Sequence, residues 1–162
     1  MAINEQLQDA LNDQVTAEIE ASMLYLQLSY ILDDLGLLGM SAWMKKQHEE
    51  ELEHAARFSQ HLLDREILPQ INNINAPILK ISNAVEAFEA ALNHERAVSA
   101  KIRRLAELQD EHKDWDSRPL INSFLEEQIE EEATVNEILD RLRIAGDSGS
   151  GILRIDAELG SR

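Results

Sequence analysis

The chain contains no cysteine, which removes both a disulfide framework and any thiolate metal site. A metal bound here must rest on carboxylate and imidazole. Aromatic residues make up only 4% of the 162 positions, with 6 glycines and 3 prolines, a composition that argues against a turn-rich sheet and for long helices. No Lys or Arg precedes Lys45, so the charged start of a secretory signal is lacking and a cytoplasmic setting is expected. The richest apolar run, ASMLYLQLSYIL (21–32), stops at Asp33 and Asp34. It is too short to span a bilayer. Basic residues number 15 against 31 acidic ones, for a formal net charge of −16. They are dispersed, with no basic tail, so a phosphate backbone would be repelled. Nucleic acid and membrane are therefore poor partners, whereas cations suit this field.

What is present is helical periodicity. A chain of this length fits one domain, spanning 1–162, and buries roughly 70% of the surface it would expose unfolded. Four long helices are expected. The first runs over about 4–35, capped by Asn4 and ended by Gly36. The second covers about 39–66 and the third about 83–111. The fourth covers 118–145, with Ser117 as cap and Pro119 in its first turn. The stretch ILPQINNINAPILKIS, carrying Pro69 and Pro77, has no helical stripe and reads as an extended connection. DSGSG (147–151) reads as a loop, and a short fifth helix is expected over 152–159. Short links make the first and second helices, and the third and fourth, antiparallel pairs. The long link can travel the length of the bundle, so the expected fold is an all-α four-helix bundle with one crossover connection.

At 100° per residue, each helix shows an apolar stripe interrupted near its middle by a carboxylate. Leu7, Leu11, Val15, Ser22, Tyr25, Ser29 and Leu32 flank Glu18. Met44, Gln47, Ala55, Phe58 and Leu62 flank Glu51, with His54 one turn on. Phe88, Leu92, Val98, Ile102 and Leu105 flank Glu95, and Ile121, Phe124, Val135, Ile138 and Leu142 flank Gln128 and Glu131. Four carboxylates at one level of a core are prohibitively costly without compensation, since even one buried ion costs several kcal/mol. Two divalent cations would supply four positive charges, with His54 as a neutral nitrogen ligand. Such an oxygen-and-imidazole set suits iron or manganese and also accepts zinc. Tyr25 lies two turns from Glu18 on the same side. His48 and His61 fall near the edges of the seam, His94 and His112 lack acidic partners at matching spacing, and all four read as ordinary structural histidines. A second apolar stripe on the first helix, Ile19, Met23, Leu26 and Tyr30, would stay wet in a monomer and reads as a subunit interface.

These residues resemble the non-haem bacterial ferritins. The resemblance covers NDQVTAEIEASMLY, EEELEHAARFSQHLLDRE, NHER, FLEEQIEEE and AGDSGSGILRIDAEL, in order and at matching spacing. It implies a ferroxidase that oxidises Fe(II) with dioxygen at a di-iron centre and stores Fe(III) as a hydrated oxide inside a 24-subunit shell. It further implies that Glu18, Glu51 and His54 bind the first iron, with Glu51 bridging. Glu95 and Glu131 then hold the second, with Gln128 beside it, and Tyr25 is the tyrosine next to the centre. A third iron would use Glu50, Glu127 and Glu130, with Glu131 shared. Haem-containing relatives carry methionine at the place of Leu52 and a second ExxH in the fourth helix, where this chain has Gln128-Ile129-Glu130-Glu131; no haem is expected. A di-metal oxygenase or peroxidase and a non-catalytic metal buffer are the competing readings of the same bundle.

Overall fold

The structure, a computed structural model, describes residues 2–161. Five helices and no strand occur among them: α1 (Glu5–Asp34), α2 (Leu38–Asp64), α3 (Ala84–Glu111), α4 (Arg118–Ala145) and α5 (Gly149–Gly160). The all-α expectation holds, and the boundaries follow from caps. Asn4 accepts from the Gln6 amide and Asn83 from the Glu86 amide, each satisfying a first-turn donor. Gly36 takes φ +79° after α1, where a side chain would be strained. α2 stops two residues earlier than the periodicity predicts. Arg65 caps it, Glu66 adopts φ 60°, and the Ile67 amide closes back on the Leu62 carbonyl at 2.9 Å.

Two expectations are corrected. Ser117 precedes α4 but makes no side-chain cap; its hydroxyl donates to Asp114 Oδ2 instead, at 2.5 Å. Residues 149–151 are not loop but the first turn of α5, because Ser148 caps it by accepting from the Gly151 amide. The cap outweighs the poor helix propensity of the two glycines.

α1 packs along α2, and α3 along α4. The link between α2 and α3 climbs the outside of α1 by polar contacts. Asn12 exchanges bonds with the Gln70 backbone, the Asn72 amide donates to Thr16 Oγ1, and the Asn75 amide donates to Glu20. Residues 70 to 75 thus rise beside residues 12 to 20, which returns the chain to the top of the bundle before α3 descends. α5 lies on the start of α2. A β-carbon on Gly39 would come within 1.9 Å of the Asp156 carbonyl, and Asp156 Oδ1 accepts from the Met40 amide at 2.7 Å. Asp156 thereby caps α2, whose own cap residue, Leu37, has no side-chain acceptor.

The core falls into two apolar layers. One gathers Leu28, Leu32, Trp43, Phe88, Leu139 and Leu142 at the α5 end. The other gathers Leu7, Leu11, Phe58, Ile102, Ile121 and Phe124 at the opposite end. Along every bundle helix the gap between the layers is where the interrupting polar residues sit.

Candidate metal centre

Glu18, Glu51 and His54 are all buried in that gap, and one ligating atom of each lies within 4.8 Å of the others. Among the described residues this is the group of three ionisable side chains placed to hold a cation. Its geometry follows from α1 and α2 lying side by side with Glu51 and His54 one turn apart on one face. His54 Nδ1 is 3.1 Å from Glu51 Oε2 and 3.8 Å from Glu18 Oε2. Glu18 Oε1 accepts from the Gln14 amide at 2.7 Å, whereas its buried Oε2 has no hydrogen-bond partner. An unsatisfied carboxylate oxygen facing a second carboxylate and an imidazole is what a cation would resolve.

The second half of the belt comes from α3 and α4. Glu95 accepts from the Tyr25 hydroxyl through a short hydrogen bond and from Gln128 Nε2 at 3.0 Å. Gln128 also reaches the Glu95 carbonyl and Ser99 Oγ. Glu131, only partly buried, accepts from Gln47 Nε2 at 2.9 Å.

The electrostatics agree with the geometry. Burial pushes Glu51 up to about 8, eased by the neighbouring Glu18 carboxyl and reinforced by repulsion from Glu95, Glu131 and Glu50. Burial likewise raises Glu131 to about 7, reinforced by Glu95 and eased by Gln47. Glu18 is held well above the ordinary carboxylate range by burial and by Glu51, and Glu95 is raised by burial. Burial and the Glu95 and Glu51 charges hold the Tyr25 hydroxyl well above its usual range. Glu51 and Glu131 thus keep protons near neutral pH that a cation would displace.

Not every residue singled out in the sequence joins this cluster. Glu127 is turned to His54 Nε2 at 3.0 Å and to Arg57 Nη1 at 2.8 Å. Glu50 is half-buried and near enough to raise Glu51 and Glu131, while Glu130 is exposed on α4. Glu49 and Glu53 face water. His48 Nδ1 meets the Ser22 carbonyl, and His61 Nε2 meets Ser117 Oγ. His94 is pushed down to about 4 by burial and Lys101. Gln14, Ser99 and Arg57 were not expected at the site. Gln14 stands one turn before Glu18 and Arg57 three residues after His54, spacings that share a helix face, but polar side chains at such spacings are common on any helix.

A family model described as Ferritin-like domain matches residues 8–145. The bacterial non-heme ferritin of Bacteroides fragilis strain 638R is 36% identical over 160 residues, covering 99% of both chains. That of Escherichia coli O157:H7 is 32% identical over 151 residues, 93% of this chain and 92% of its own. Among solved structures, an open pore ferritin from the hyperthermophilic archaeon Archaeoglobus fulgidus superposes with a TM-score of 0.97 at 33% identity, covering all of this chain and 99% of its own. The chain belongs to the ferritin family, and its architecture is the ferritin four-helix bundle with a short fifth helix.

Proposed function

We propose that this protein stores and detoxifies iron, oxidising Fe(II) to Fe(III) with dioxygen at an intra-subunit two-metal site and retaining the product as ferric oxide inside a homo-oligomeric shell of 24 subunits. The observation that carries the reading is the buried Glu18, Glu51 and His54 group, gathered within 4.8 Å between two apolar layers. Glu18, Glu51 and His54 receive the first iron, and Glu51 bridges to a second held by Glu95 and Glu131 beside Gln128. Both irons are substrate. Hard carboxylates favour the more highly charged ion, which draws the oxidation forward. Two irons about 4 Å apart can each give one electron to the same dioxygen. As they enter, Glu51 and Glu131 yield the protons that burial makes them hold, so uptake releases acid. Tyr25 holds Glu95 in place from α1.

The whole chain acts as one domain. No helix among the described residues is long and apolar enough to cross a membrane, which accords with a cytoplasmic setting. The partly exposed Met23, Leu26 and Tyr30 of α1 provide a surface for a second subunit.

Aerobic addition of Fe(II) to the purified protein tests the proposal. Rapid oxidation followed by retention of hundreds of irons per particle is the expected result. Oxidation without retention would favour an oxygenase or peroxidase on the same bundle, and neither would favour a passive metal buffer.

A further inference from the structure

The pairing of Glu127 with Arg57 does not follow from a ligand role. Neutral imidazole has one donor nitrogen and one acceptor, and its neighbours decide which is which. His54 Nδ1 faces the two carboxylates of the cluster, 3.1 Å from Glu51 and 3.8 Å from Glu18. His54 Nε2 faces away, toward Glu127 Oε1 at 3.0 Å. The other Glu127 oxygen takes Arg57 Nη1 at 2.8 Å. Arg57 is itself held: Nη2 donates to Ser123 Oγ at 2.6 Å, the Ser123 proton goes to the Leu120 carbonyl, and the guanidinium lies 4.1 Å over the Phe124 ring. The His54 ring stands nearly perpendicular to the same Phe124, with ring centres 5.2 Å apart. One aromatic ring therefore braces both the histidine and the arginine.

We propose that Glu127, clamped by Arg57, is a positioning residue for His54: it accepts the Nε2 proton, leaves the Nδ1 lone pair aimed at the first iron, and is withheld from a third. The proposal rests on the two-iron reading above. A carboxylate ion-paired to a guanidinium is a committed acceptor, so Nε2 keeps its hydrogen and Nδ1 is free to coordinate. Both Glu127 oxygens are then engaged. A third cation near Glu50, Glu130 and Glu131 would have to compete with a guanidinium already delivering its charge to that spot.

The test is anaerobic calorimetric titration of the assembled, metal-stripped protein with Co(II), which does not turn over. Ions per subunit and first-ion affinity are read for wild type, Glu127→Gln, Glu127→Ala, Arg57→Gln and Glu18→Ala, with particle size checked for each. Wild type is expected to bind two ions. Glu127→Ala should weaken the first ion about tenfold to a hundredfold. Glu127→Gln should restore most of that loss, because the amide oxygen still accepts from Nε2–H. Arg57→Gln should add a third ion by freeing Glu127. Three ions in wild type, with the first ion unchanged in both Glu127 variants, would overturn the proposal and make Glu127 a third-iron ligand. If Glu18→Ala leaves the titration unchanged, the two-iron reading itself fails. Should Arg57→Gln not assemble, the order of the two Glu127 variants still decides the matter.

Discussion

The α1–α2 half of the polar belt and the α3–α4 half hold their carboxylates in different ways. Glu18 and Glu51 face each other and His54, and one Glu18 oxygen has no hydrogen-bond partner. Glu95 and Glu131 are each met by neutral donors: Tyr25 and Gln128 on the former, Gln47 on the latter. Burial is nearly complete for the first pair and for Glu95, but partial for Glu131. The first half thus leaves one carboxylate oxygen open to a cation, whereas the carboxylates of the second already meet amide and hydroxyl donors that a cation would have to displace. On the two-iron reading proposed above, the first position would hold its ion more tightly than the second, which suits binding a substrate and passing its product on.

The largest expected effect comes from breaking the first half. Glu18→Ala, or the pair Glu18→Ala with Glu131→Ala, should slow Fe(II) oxidation by about a hundredfold or more, since each removes a carboxylate that the proposed two-metal site uses. Stopped-flow absorbance checks this, and unchanged rates would refute the site. Glu18→Ala alone should melt no lower than wild type in the metal-free state, because a buried carboxyl with an unpaired oxygen is a cost removed.

Next in size is the response to metal. Zn(II) at a hundredfold excess over its dissociation constant should stabilise the protein by about 2.7 kcal/mol per site of that affinity. A thermal melt series with increasing Zn(II) should show an early step from the first position and a later, shallower one from the second. A single step at two equivalents would erase the contrast between the halves.

The pH dependence sharpens the same comparison. Glu18, Glu51, Glu95 and Glu131 have folded-state values above those of an unfolded chain, so the native protein binds more protons than the unfolded one. These four groups make stability of the metal-free protein fall as pH rises from about 4.5, through the value of about 7 for Glu131 and about 8 for Glu51, against the opposite contribution of His94 and His61, whose imidazoles burial holds down. Melting of chelator-treated protein across this range measures it, and saturating Zn(II) should flatten the slope because the metal takes the place of the protons. A metal-free protein whose stability rises between pH 5 and 8 would contradict the burial of these groups.

The smallest effect belongs to the second half. Tyr25→Phe removes one of the donors to Glu95 without touching Glu18, Glu51 or His54. Oxidation rate and second-ion affinity should shift by only a few-fold, roughly the worth of one hydrogen bond, and the first-ion affinity should not move. A change in the first ion would show that the halves are not separable.

Much of this centre is legible along the chain because helices convert spacing into direction. The stripes place Glu18, Glu51, Glu95 and Gln128 in the core, and all four are buried there. Asn4, Asn83 and Gly36 mark helix ends because their chemistry is local. Where the structure departs from expectation, a non-local or competing contact intervenes. Ser117 gives its proton to Asp114, which Arg65 also grips from the end of α2 at 3.0 Å, so the cap is lost to a network between helices. Met40, at the start of α2, is capped by Asp156, 116 residues away, which no sequence window contains.

By itself the sequence determined the helices, the absence of thiolate chemistry and the level at which carboxylates interrupt the core, since each depends on composition or on residues within two turns. Only the tertiary structure decided which oxygens face one another, which imidazole nitrogen looks at the cluster, and that Glu127 belongs to Arg57 and His54. Those outcomes depend on side-chain rotamers and on the register between helices, and Glu127 lies 73 residues from His54 and 70 from Arg57 along the chain. Periodicity can aim a side chain at the seam, but its partner there is chosen by packing.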